Sequence, residues 1–218
     1  MRQLHRRRLV VSWLVLVLVA AVLTGESWLP GRVLVPLTPD DFPTWAAGRG
    51  PDELQRHDQP NWTMSDVLHL LVPGLATTRA ALARGELPLW DPSQALGVPH
   101  LDQIHYGVLY PPAWIPLVLG LFGLGILAGL HLLIASGGTW LYLRSLGRSP
   151  HACLLGAVAF GASAWITARL QAFPVVGAAV WLPWMLWGLQ AGARQGGFLP
   201  RLVTALAVAL SLLAGMPQ

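Results

Sequence analysis

All ten acidic residues of this 218-residue chain fall between Glu26 and Asp102. Downstream of Asp102 the only formal charges are the arginines Arg144, Arg148, Arg169, Arg194 and Arg201, set at the edges of apolar runs. A soluble domain carries roughly 25% charged residues, of both signs. Here charged residues are 11% and hydrophobic ones 54% of the chain. The pattern therefore reads as an all-α membrane protein with one polar loop among its spans. The net charge of +4 flanks apolar runs instead of forming a basic stripe, so no nucleic acid is expected as a partner. The single cysteine, Cys153, cannot pair within the chain and reads as a small buried hydrophobe.

Four regions follow from this pattern. Residues 1–8, with Arg2, Arg6, Arg7 and Arg8, read as a cationic cytoplasmic N-terminus. Residues 9–29 read as the first transmembrane helix, at about 20 residues enough for a hydrocarbon core of about 30 Å. A cleaved signal peptide has the same outline, but no small-x-small site follows the run. Residues 30–107 read as a large extracytoplasmic loop, with an extended arm or short strand at 31–36 and a turn at 39–43. Within the loop a helix should begin near Thr63 or Ser65, either of which can cap it. Leu68, Leu71, Leu75 and Leu82 form one stripe of that helix, and Asp66, His69, Pro73, Thr77 and Arg84 another. Pro73 should kink it and Gly85 should stop it. It is expected to lie amphipathically along the membrane surface. Residues 108–218 read as a transmembrane bundle: a short re-entrant or interfacial helix near 114–121, then spans near 124–143, 153–167, 175–189 and 202–213. Five spans place the polar loop, Arg169 to Gln171 and the terminal Met216-Pro217-Gln218 on one side, with Arg144, Arg148, Arg194 and Arg201 opposite. The stop just after an apolar run reads as the end of an N-terminal fragment.

Several segments together resemble a known family. They are Ser65-Asp66 at a helix start, Gly85-Glu86-Leu87-Pro88-Leu89-Trp90-Asp91-Pro92, Gly97-Val98-Pro99 and Tyr110-Pro111-Pro112. With Tyr142 to Gly147, Trp181-Leu182-Pro183 and Ala214 to Gln218, they resemble the N-terminal part of YfhO-type bacterial membrane proteins, similar in architecture to GT-C glycosyltransferases. That resemblance implies a multi-pass protein of the bacterial cytoplasmic membrane. It would move a sugar from a polyprenyl-phosphate donor to a glycan, polymer or lipid acceptor of the cell envelope. It also implies that an acidic residue of the first outer loop is catalytic: Asp66 first, Asp40 second. Met216 stands where the resemblance expects histidine.

An inverting transfer of this kind needs a group to deprotonate or orient the acceptor hydroxyl, a cation for the departing phosphate and a dry cavity. Asp66 fits the first role, and otherwise reads as a capping carboxylate. Arg169 fits the second through its bidentate fork, and otherwise reads as snorkelling to headgroups. Arg79 and Arg84 are weaker versions of the same idea. His69, one helical turn from Asp66, Trp90 as a stacking platform and Gln218 complete the expected substrate contacts. A divalent cation such as Mg²⁺ or Mn²⁺ is conceivable as a cofactor, yet His100, Asp102 and His105 match no ligand spacing. The rival readings are a transporter or flippase-like protein, which would carry ionisable residues at mid-span, and a non-catalytic envelope-assembly subunit.

Overall fold

The computed structural model describes residues 2–48, 50–54 and 60–216. Among the described residues regular structure is helical apart from one antiparallel ladder with two residues in each strand. Helix α1 (Arg2–Thr24) is followed by the polar segment, which contains α2 (Val72–Ala83) and the antiparallel pair β1 (Trp90–Asp91) and β2 (Val98–Pro99). In the ladder Trp90 pairs with Pro99, and Asp91 with Val98. Then come the short α3 (Trp114–Leu119), the long α4 (Phe122–Ser145), α5 (Pro150–Gly161), α6 (Phe173–Ala179), α7 (Leu182–Gln195) and α8 (Phe198–Leu213).

Four segments are long and apolar enough to cross a membrane: Leu9–Trp28, Phe122–Ser145, Pro150–Thr167 and Phe173–Arg194. The fifth expected span is the 16-residue α8, apolar but short of that length. The fourth is broken at Val180–Trp181, between α6 and α7, where Pro183 opens the second helix. A short helix, α3, does form where one was expected near 114–121.

Helix α4 is the hub, packed against α1, α3, α5, α6 and α7. Of its span 72% is buried within the protein, against 22–33% for the other three, whose apolar faces remain uncovered. Small residues explain the close approach. A Cβ at Gly129 would lie 2.9 Å from the Trp28 ring, and one at Gly138 would lie 2.6 Å from Trp184. The two indoles use that proximity: Trp28 Nε1 donates to Gly125 O at 3.1 Å and Trp184 Nε1 to Ile134 O at 2.8 Å. Neither indole proton is left without a partner in apolar surroundings.

The polar segment is folded onto one end of these helices through a shared core. Val35 from the 31–36 arm, Val67, Leu71 and Leu75 from the loop helix, and Leu124, Leu127, Phe173 and Ala214 from the bundle form one buried cluster. The arm is extended and lies outside any sheet; Asn61 N donates to Pro36 O at 3.0 Å and holds its end.

The loop helix departs from its expected shape in three ways. It starts with a 3-10 turn at Trp62–Met64, and no side-chain cap bond forms at Asn61 or Asp66. A wide π-turn, Val67–Leu71, precedes α2. Pro73 accounts for it: proline lacks the N–H and clashes with the carbonyl four residues back, which an expanded turn relieves. The buried face is Val67, Leu71, Gly74, Leu75, Thr78 and Ala81, while Leu82 is exposed. Protein therefore covers a face that keeps Leu71 and Leu75 of the expected stripe and adds the small residues Gly74, Thr78 and Ala81. Gly85 does stop the helix, at φ +75°, with Gly85 N bonded to Leu82 O and Glu86 N to Ala81 O.

Candidate functional site

A cavity of about 280 Å³ opens where the polar segment, the start of α6 and the residues after α8 meet. Thr63, Met64, Asp66, Val67, Leu70 and Leu71 line it from the loop helix. His105 lines it from the following loop, Ala172, Pro174 and Val175 from α6, and Met216 from the end of the described chain. Its walls are mostly apolar, with one carboxylate and one imidazole facing them.

Backbone geometry presents both polar groups. Asp66 is exposed immediately before the π-turn, while its neighbour Val67 is buried. His105 sits in the 3-10 turn Ile104–Tyr106, its ring meeting the Tyr106 ring edge-on with centroids 4.3 Å apart. His105 Nε2 is buried and has no hydrogen-bond partner among the described residues. Burial pushes this imidazole below the usual histidine range, against the upward pull of the Asp66 carboxylate. The cavity wall closes at Gly215, whose φ is +107°. A Cβ there would overlap Ile104 O and come within 2.7 Å of His105 Cα, so only glycine lets the two segments touch.

The other expected site residues lie elsewhere. Asp40 is buried in the 3-10 turn Pro39–Asp41 and is not among the described residues lining the cavity. His69 is drawn into an aromatic cluster, 4.7 Å from the Phe42 ring and 5.5 Å from Trp45. Arg84 is on the surface, its Nε 2.9 Å from Glu86 Oε2. Trp90 is 57% exposed, with its indole laid against Gly97, where a Cβ would lie 2.6 Å away. Arg169 stacks on Trp165, with the guanidinium 4.8 Å from the ring centroid, and donates to Trp165 O at 3.3 Å. Gln218 falls outside the described residues.

The tryptophan–aspartate–proline signature has a structural use instead. Asp91, 1% exposed, accepts from Ser93 N at 2.9 Å, Ser93 Oγ at 2.6 Å and Gln94 Nε2 at 3.0 Å. Burial raises its pKa, but these bonds prevail and hold the carboxyl below its usual value. His100, wholly buried, lies with Nδ1 3.9 Å from Asp91 Oδ2, too far for a hydrogen bond. Its Nε2 is 2.8 Å from Thr78 Oγ1, whose own proton goes to Gly74 O at 2.9 Å. The proton therefore belongs on Nε2, and the hairpin is locked to α2. Burial lowers the His100 pKa, partly countered by Asp91.

Two other motifs meet in the bundle. Trp181 Nε1 donates to Tyr110 Oη at 3.1 Å, and that hydroxyl lies 3.0 Å from His131 Nε2 in α4. Their contact was not anticipated, because three segments far apart in sequence contribute one residue each.

Among the described residues no group of three or more His, Cys, Asp or Glu is placed to hold a metal ion. His100 and His105, grouped by sequence proximity, both contact Tyr106, the first stacked and the second edge-on.

No protein-family model, curated protein or solved structure matches the chain.

Proposed function

We propose that the chain is the N-terminal part of a membrane glycosyltransferase that moves a sugar from a polyprenyl-phosphate donor to an acceptor of the cell envelope. In this reading the N-terminus is cytoplasmic, the helices form a polytopic bundle and residues 30–107 lie on the extracytoplasmic side of a bacterial cytoplasmic membrane. One observation carries the reading. Asp66 opens onto an apolar-walled cavity built jointly by the polar segment and the bundle, which suits a reaction that must exclude water. Asp66 rather than Asp40 is the acidic group with that access. Arg169 serves as the phosphate partner by leaving the Trp165 ring.

The test is lipid-linked sugar profiling of a deletion strain complemented with the full-length gene or with its Asp66→Asn form. Accumulated polyprenyl-phosphate sugar and a missing envelope glycan in the Asn strain, at equal protein level, is the expected result. An unaltered envelope in the deletion strain overturns the transferase reading in favour of a transporter or an assembly subunit.

A further inference from the structure

Asp66 alone is an awkward proton acceptor. It is exposed, so water competes with an acceptor hydroxyl for its oxygens. A general base works best with a pKa near the working pH. Across the same cavity stands an imidazole with its ring nitrogen sequestered and unused. Nε2 of His105 is buried without a partner among the described residues, an arrangement that is unfavourable unless something else occupies that nitrogen. The ring meets Tyr106 edge-on, and its backbone is packed against Gly215.

We propose that His105 is the general base of this site, taking the acceptor proton on Nε2, and that Asp66 stabilises the imidazolium that results. The inference rests on the transferase reading above. In the step, the acceptor hydroxyl oxygen forms the new bond to the anomeric carbon of the donor sugar. The bond from that carbon to the phosphate oxygen breaks, and its electron pair leaves with the polyprenyl phosphate. The acceptor proton passes to His105 Nε2 and is later released to water. With the resting proton on Nδ1 the Nε2 lone pair is unused; Nε2 is buried in the resting structure, so the ring turns toward the cavity to meet the acceptor.

The charges around His105 are few. Asp66 approaches from the turn before α2 and favours the protonated ring, while His100 behind Tyr106 is buried and neutral. The cavity residues from α6 and beyond α8 are Ala172, Pro174, Val175 and Met216, none of which ionises. Burial holds the imidazole neutral at rest, so it is available as an acceptor. Met216 leaves that side of the cavity without an imidazole, and His105 supplies one from the other wall.

The experiment uses the full-length protein in nanodiscs, with synthetic citronellyl-phosphate hexoses as donors and an envelope-glycan extract as acceptor. Two measurements are made: kcat against pH, and the midpoint of His105 from NMR of ¹³C-histidine-labelled protein, assigned with His105→Gln. His105→Gln is expected to lower kcat by about 100-fold or more with a smaller change in KM, and to abolish the acid limb of the pH profile. In Asp66→Asn the His105 midpoint should move to lower pH, because a favourable negative charge is gone. A purely packing role would move neither the limb nor the midpoint. An active wild type with His105→Gln within threefold of it, or a midpoint unchanged by Asp66→Asn, overturns the base role alone. A wild type inactive with every hexose overturns the base role together with the transferase reading.

Discussion

The polar segment contains two histidine–carboxylate pairs, and they have opposite fates. Asp91 and His100 are 1% and 0% exposed; Ser93 and Gln94 bond the carboxylate and Thr78 bonds His100 Nε2, while His100 Nδ1 is buried without a hydrogen-bond partner among the described residues, 3.9 Å from Asp91 Oδ2. Asp66 and His105 face a cavity, and the His105 Nε2 has no partner among the described residues. Tyr106 touches both, stacking on His100 at 4.5 Å and meeting His105 edge-on at 4.3 Å. Residue type is the same in both pairs. What differs is whether the pair is packed inside the fold or lines a cavity, and that difference separates a lock from a candidate for chemistry.

The contrast can be broken most sharply at the carboxylates. Asp66→Asn is expected to reduce sugar transfer by about 100-fold or more while leaving the melting temperature unchanged. The opposite pattern would exchange the roles of the two pairs. Asp91→Ala removes acceptors from Ser93 and Gln94 in a buried site, and should destabilise the protein by about 2–3 kcal/mol. Activity should then fall only with the folded fraction, as seen by assaying and melting the same preparation. Gly74→Ala tests the packing beneath the lock, since its Cβ would collide with the Tyr106 ring. Overpacking of this kind costs about 1–3 kcal/mol, and a melt within 1 °C of wild type would show that Tyr106 moves freely.

The pH dependence follows from His100. Its folded pKa lies below the ordinary value of 6.5 because it is buried. Below that value the unfolded chain binds the proton more readily than the folded one, so stability falls with acidification from about pH 6.5 downward. Melting curves between pH 8 and pH 5 should show the decline, and His100→Gln should flatten it; a slope retained in that variant would assign it to His105 or another group. The smallest effect is expected at Arg84, whose pair with Glu86 is exposed on both sides. Arg84→Ala should stay within about 0.5 kcal/mol of wild type by thermal melting.

Chain-local features were readable in advance. The long apolar runs, the short helix at 114–119, the glycine stop at Gly85 and the disturbance at Pro73 all come from residue type and spacing within a few turns. The span count was less secure, because α8 is apolar throughout yet only 16 residues long. The burial of α2 was misread for a physical reason. Gly74 and Thr78 carry no apolar signal, but a missing side chain admits Tyr106 and a hydroxyl joins Gly74 O to His100. At the cavity, Asp66 was identifiable from its helix-start position. His105 as its partner was not, since the loop that brings them together is fixed by contacts at Gly215, far along the chain. Likewise Trp90, Arg84 and Arg169 look equally suited to binding as letters, and only their neighbours show that Gly97, Glu86 and Trp165 already engage them.

Gly215 also sets a timetable. The backbone around His105 is braced by a segment roughly a hundred residues further along the chain, which at about 5–20 residues per second is synthesised some seconds to tens of seconds later. Until α8 is in place, Asp66 and His105 belong to a loop that lacks its fourth wall. The cavity is thus among the last parts of this region to form, and a nascent chain carries its hairpin lock well before it carries a closed site.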